Sequence, residues 1–193
     1  MEYGSARTAR AGCQTFVLDV LVAAMNAYDV GLLLLRACLG LTMAAHGYGK
    51  IFSGGRLAGT AAWFDSIGMK PGALHARLAA GCEVGFGIAL AVGLLTPVAA
   101  AGFVALMLVA AWTVHRTNGF FIVGNGWEYN MVLAVAAIAV AILGAGRISI
   151  DRLIFDADQP YGWVGFAIAA GLGAVSGIGQ LAIFYRPQAT TVS

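Results

Sequence analysis

Long apolar runs separated by short polar stretches dominate the chain. A bilayer core takes roughly 20 consecutive, mostly apolar residues in a helix. On that rule five spans are predicted, over residues 30–50, 77–95, 97–115, 128–146 and 161–185. "LLTP" allows almost no chain between the second and third spans, so they form an antiparallel hairpin, with Pro97 opening the third. Residues 14–28 are too short and too acidic to cross alone, and read as an interfacial helix leading into the first span. In the long first loop, "LAGTAAWFDSIG" reads as a short helix suited to the headgroup zone, ended by "KPG". The tail "RPQATTVS" is expected to be disordered. Gly81, Gly85, Ala89 and Gly93 recur every fourth residue in span two, and Gly173 and Gly177 in span five. Both stripes predict close helix approach.

Composition turns this pattern into a class. The 193 residues are 60% hydrophobic and 10% charged, against about 25% charged in soluble domains. The chain is read as a multi-pass integral protein of the plasma (cell) membrane, in contact with membrane lipid. A net charge of +2, spread along the chain, points to no nucleic acid partner. Cys13, Cys38 and Cys82 have no CxxC spacing. The N-terminal apolar stretch contains Asp19 and lacks a clear cleavage site, so it is not read as a signal peptide.

Alternating spans sort the polar residues onto two sides. Side A is that of the N-terminus. His46 and Lys50, Glu83, His75, His115, and "GWEYN" with Trp127, Glu128 and Tyr129 all fall toward side B. Glu83 is expected about 9 Å into the membrane at 1.5 Å per residue. Ionisable groups at such depth are expensive and mark candidate sites. Arg36 and Glu83 look like partners, but antiparallel spans put them at opposite ends. Glu83 is better placed for His46 or Lys50, and Arg36 for Asp151. The ligand-binding candidates are therefore His46, Lys50, Glu83, His115, Trp127, Glu128 and Tyr129. Arg36 and Asp151 are a candidate structural ion pair. Arg36, Gly40, Met43, Gly47 and Lys50 share one helix stripe, whose middle is expected to take a neighbouring helix.

The chain resembles the DoxX family of membrane proteins. The resemblance rests on "LRACLGLTMAAHGYGKIF", "WFDSIGMKPG", "AAGCEVGFGIALAVGLLTPVAA" with its Glu, "GNGWEYN" and "GAGRISID", in that order, over residues 30–151. It implies an all-α, polytopic membrane four-helix bundle, here with an additional C-terminal transmembrane helix. The organisation is then residues 1–29 as polar segment and interfacial helix, 30–151 as the four-helix unit, 152–185 as linker and fifth helix, and 186–193 as tail. The resemblance further implies association with quinol oxidation, thiosulfate:quinone chemistry or oxidative-stress defence, alongside redox or thiol/sulfur-handling protein partners. It supplies no universal catalytic residue.

Four functions compete. The first is a redox-associated subunit binding a quinone-like ligand at side B, where His46, Glu83 and His115 could exchange protons and Trp127 or Tyr129 could stack on the ring. The chain carries neither an Fe–S cysteine set nor a dinucleotide fingerprint, so electrons would come from a partner. The second is a non-catalytic membrane anchor or scaffold for soluble redox enzymes. The third, haem or metal ligation by His46 and His115, with His75 and carboxylates as further candidate ligands, is disfavoured because no HExxH-like spacing supports it. The fourth, small-molecule transport, lacks an inverted repeat. Whether the protein is an enzyme, whether it forms a homo-oligomer and which side faces the cytoplasm are left open. Lysines and arginines favour side B as cytoplasmic, whereas the usual family picture puts the N-terminus inside.

Overall fold

The computed structural model describes residues 27–155 and 160–187. Most of the expected interfacial helix and the end of the tail lie outside the described residues. The described chain is an all-α bundle. Helix α1 is Ala27–Phe52, α2 is Arg56–Ser66, α3 is Gly72–Val92 and α4 is Thr96–Ala110. A wide turn over Ala111–His115 and a tight one over Arg116–Asn118 prolong α4. Helix α5 is Glu128–Leu143, α6 is Ile150–Phe155, and α7 runs Gly162–Phe184. Four helices (α1, prolonged α4, α3 and α7) are long and apolar enough to cross a membrane, and α5 is a shorter apolar helix of 16 residues.

Local chemistry explains the boundaries. Helix α3 starts at Gly72, five residues earlier than the hydropathy pattern placed it, because Asp65 of α2 accepts the Gly72 N–H at 2.8 Å. That carboxylate satisfies one of the orphan donors of the first turn. His75 thereby moves from the loop into the helix. Gly93 ends α3 at φ 67°, a left-handed conformation that suits glycine. Helix α5 stops at Leu143, three residues short of the expected end, where Gly144 turns the chain at φ 95°.

Leu39 and Met43 of α1, Leu90 of α3, Phe103 of α4 and Leu133 and Val140 of α5 form the main core. Helix α7 packs on α4, where Gly173 lies against Val104 and the Ala101 carbonyl, as its small-residue spacing predicted. The stripe on α3 behaves otherwise. A Cβ at Gly81 or Gly85 would meet nothing, whereas one at Gly87 would strike the backbone of Gly40 and Ala44. The close crossing is thus Gly40 of α1 against Gly87 of α3, on the stripe formed by Arg36, Gly40, Met43 and Gly47, all buried. Gly40→Ala should destabilise the protein by about 1–3 kcal/mol, because backbone on the facing helix cannot give way. Gly85→Ala should be neutral or stabilising, by up to about 1 kcal/mol from helix propensity. Thermal unfolding in detergent of the two variants, side by side, checks this contrast.

Candidate functional site

Two polar centres sit at opposite ends of the bundle. At side A, Arg36 is fully buried. Its Nη1 donates to the carbonyls of Leu90 and Ala91 at 3.4 and 3.2 Å, and its Nη2 to Ile148 at 2.6 Å. Asp151, also fully buried, accepts the N–H groups of Leu95 and Thr96 at 2.6 and 2.9 Å and the Tyr161 hydroxyl at 3.3 Å. The expected Arg36–Asp151 ion pair is therefore replaced by a different arrangement. The cation sits on the carbonyl end of α3 and the anion on the N–H end of α4, each at the helix pole of opposite sign. The Asp151 N–H also donates to the Gly93 carbonyl of the turn between these helices, at 2.8 Å. Most hydrogen bonds of this corner run to backbone groups, while Arg36 Nε has no hydrogen-bond partner among the described residues.

At side B, Gly47 lets α1 lie against Ala80 and Val84 of α3. One turn further on, Lys50 reaches Glu83, with Nζ 2.7 and 2.6 Å from the two carboxylate oxygens. It is the one salt bridge found among the described residues, and its side chains are only 23% and 11% exposed. The pair forms part of the wall of a cavity of about 210 Å³. Trp63 and Phe64 of α2 roof the cavity; His75 and Cys82 of α3, Thr113 beyond α4, and Gln180 and Phe184 of α7 line it, along with aliphatic side chains.

His75 is 1% exposed and sits between Phe64 and Phe184, the latter edge-on at 4.9 Å. Its Nδ1 lies 3.1 Å from Gln180 Nε2. The Gln180 amide donates there, which leaves the proton of the neutral ring on Nε2. That Nε2 is enclosed by protein and has no partner at strict hydrogen-bond geometry, although the Lys70 backbone carbonyl acts on the ring as a hydrogen-bond acceptor. The end of α7 is pinned to the loop before α3, since Lys70 donates to the Phe184 carbonyl and Arg186 to that of Gly68.

The other candidates lie elsewhere. His46 is exposed on α1 and does not line the cavity. His115 contacts the Asn125 carbonyl through Nδ1 at 2.8 Å, and Glu128 accepts the Ile122 N–H at 2.9 Å. Trp127 packs edge-on against Phe120, and Tyr129 is exposed. Of the seven ligand-binding candidates the structure brings only Lys50 and Glu83 to the cavity. The fourth wall comes from α7, not from α5. Gln180 is the residue the sequence reading passed over, although a lone amide in the apolar run "GIGQLAIF" is itself a signal. No cluster of three or more metal-ligating side chains occurs among the described residues.

The model of the DoxX family matches residues 31–116. The chain is 30% identical over 130 residues to the Bacillus subtilis protein named "Putative oxidoreductase CatD", covering 67% of this chain and 91% of that protein. It is 29% identical over 126 residues to the inner membrane protein YqjF of Escherichia coli, covering 65% and 93%. An uncharacterized protein of Haemophilus influenzae is 28% identical over 112 residues, covering 54% and 74%. No solved structure matches the chain significantly.

Proposed function

Because this chain belongs to the DoxX family, we propose that it is a redox-associated subunit of the cell membrane that takes the ring of a quinone-like ligand into the side B cavity. One observation carries the reading: a mostly apolar cavity has the Lys50–Glu83 pair in its wall at one end and the His75 ring toward the other. An ammonium has three donors, and two of those on Lys50 are directed at Glu83. The neutral His75 ring carries its proton on Nε2, which is enclosed by protein and opens to a ligand only when the ring shifts. His75 and Glu83 are eight residues apart on α3, about 12 Å along the axis, a separation suited to a ring with opposed carbonyls and a hydrogen bond at each end. The cavity of about 210 Å³ is smaller than the ~300–1,000 Å³ of drug-sized pockets. It suits a head group whose tail lies in lipid.

The protein's own share of the chemistry is binding and proton supply. Lys50 and Glu83 can hold or release a proton beside one oxygen, and His75 beside the other. Electrons must come from a partner, for which a soluble redox or thiol/sulfur-handling protein is the proposed class. Saturable quenching of tryptophan fluorescence by a short-tailed benzoquinone is the test, since Trp63 lines the cavity. His75→Phe, which keeps the aromatic packing, and Gln180→Leu should each weaken binding about 2- to 12-fold, the equivalent of about 0.5–1.5 kcal/mol for one neutral hydrogen bond. Absence of saturable quenching in the wild type, or unchanged affinity in both variants, would overturn the proposal.

A further inference from the structure

The loop between α4 and α5 is built inside out. Phe120, Phe121, Ile122 and Val123 follow one another, and all are exposed, Val123 at 98% and Phe121 at 69%. Four consecutive exposed apolar residues are not tolerated on a surface facing water without a reason. The polar groups meanwhile turn inward. The carbonyls of Gly119, Phe121 and Ile122 accept backbone N–H groups of the same loop, and that of Phe120 accepts the N–H of Glu128, the first residue of α5. The Asn125 carbonyl meets the side chains of His115 and Asn118, and the Glu128 carboxylate takes the Ile122 N–H. Internal satisfaction of backbone groups is what a segment needs where no water is available.

Span length supplies the second, independent observation. At 1.5 Å per residue, the 16 residues of α5 reach about 24 Å. A bilayer core is about 30 Å thick. The side A end of α5 gives way to Gly144 and the corner that holds Arg36 and Asp151, so the apolar continuation is at side B, through Phe120–Val123. Exposed apolar side chains also flank the loop in sequence, Trp112 in the turn before it and Met131, Val132 and Val135 on α5 after it. Arg116 lies over the Trp112 ring, 4.4 Å from its centroid. A cation paired with an indole suits the headgroup level, where amphipathic rings and long basic side chains collect.

The geometry points to residues 119–127 as a membrane-inserted loop that buries Phe121, Ile122 and Val123 in the hydrocarbon edge of the side B leaflet and completes the depth that α5 lacks. His115 and Glu128 are then loop-closing residues, which seal polar groups so that the tip can enter lipid.

A single-cysteine variant tests this directly. Cys13, Cys38 and Cys82 are replaced by alanine, Val123→Cys is labelled with an environment-sensitive fluorophore, and the full chain is reconstituted in phosphatidylcholine/phosphatidylglycerol vesicles. Arg56→Cys, in the other side B loop, is the aqueous control. The label at position 123 should emit at shorter wavelength than the control. Spin-labelled lipid should quench it, and iodide present on both sides of the membrane should not. Quenching by iodide at both positions would overturn the proposal. So would protection from both quenchers that disappears when the protein is diluted in lipid, which would assign the tip to a second copy of the chain. Protection from both that survives dilution would also overturn it, by placing the tip inside protein. Because the readout is location alone, its failure leaves the cavity proposal standing.

Discussion

Replacing Arg36 with methionine should destabilise the protein more than any other single change considered. The guanidinium meets the carbonyls of Leu90, Ala91 and Ile148, which belong to two segments far apart in sequence. Its loss takes a donor from each of these carbonyls and removes a cation that acts on Asp151 and Tyr161. Breaking such a buried charged arrangement costs about 3–5 kcal/mol. At about 2–4 °C per kcal/mol for a chain of this length, the melting temperature in detergent should fall by roughly 6–20 °C. Arg36→Lys should recover little, because one ammonium cannot reproduce a planar fork aimed at two segments. Wild-type melting of Arg36→Met would refute the role assigned to this corner.

Glu83→Leu should have the second-largest effect, and its consequences can be separated. It strands the Lys50 ammonium in a mostly apolar wall, at a cost near the lower end of about 3–5 kcal/mol because the pair is not fully enclosed. Lys50→Met alone should cost a similar amount, since it strands the carboxylate. The double variant Lys50→Met/Glu83→Leu should recover most of the stability, as apolar replacement of a whole buried pair is often neutral or better. Binding should not recover. Loss of a hydrogen bond to a charged group is worth about 1.5–3 kcal/mol, or roughly 10- to 150-fold in affinity for the benzoquinone. A double variant that melts like the wild type and still binds the quinone would leave the pair a purely structural role. One that melts no higher than either single variant would contradict the coupling itself.

Counting along the helices carried part of this site. Lys50 and Glu83 could be matched because both lie a few residues from the side B end of antiparallel spans, and axial depth follows from a fixed rise per residue. Rotation about the axis is a different quantity. His46 has the right depth, yet it is exposed, while the buried line of α1 runs through Met43 and Gly47. The same limit misled the glycine stripe of α3. Gly81 and Gly85 repeat at the correct interval but on the open face, and Gly87 makes the crossing. His115 and Glu128 share a level with the cavity but are used within their own loop. His75 and Gln180, 105 residues apart, meet only because α7 packs on α4 and its end is tied to the loop before α3.

What the chain determined by itself is therefore local: that it is helical and membrane-spanning, where its apolar runs lie, and how deep each charge sits. Those properties depend on run length, residue type and the regular rise of the helix, all of which can be read without neighbours. What only the tertiary structure decided is which face of each helix meets another. That choice depends on where two backbones can approach, as at Gly40 and Gly87, and on which helix ends a buried charge can reach. Arg36 and Asp151 show the difference most clearly: their shared corner follows from counting, but hydrogen bonds to the helix poles, not a direct salt bridge, fix their positions.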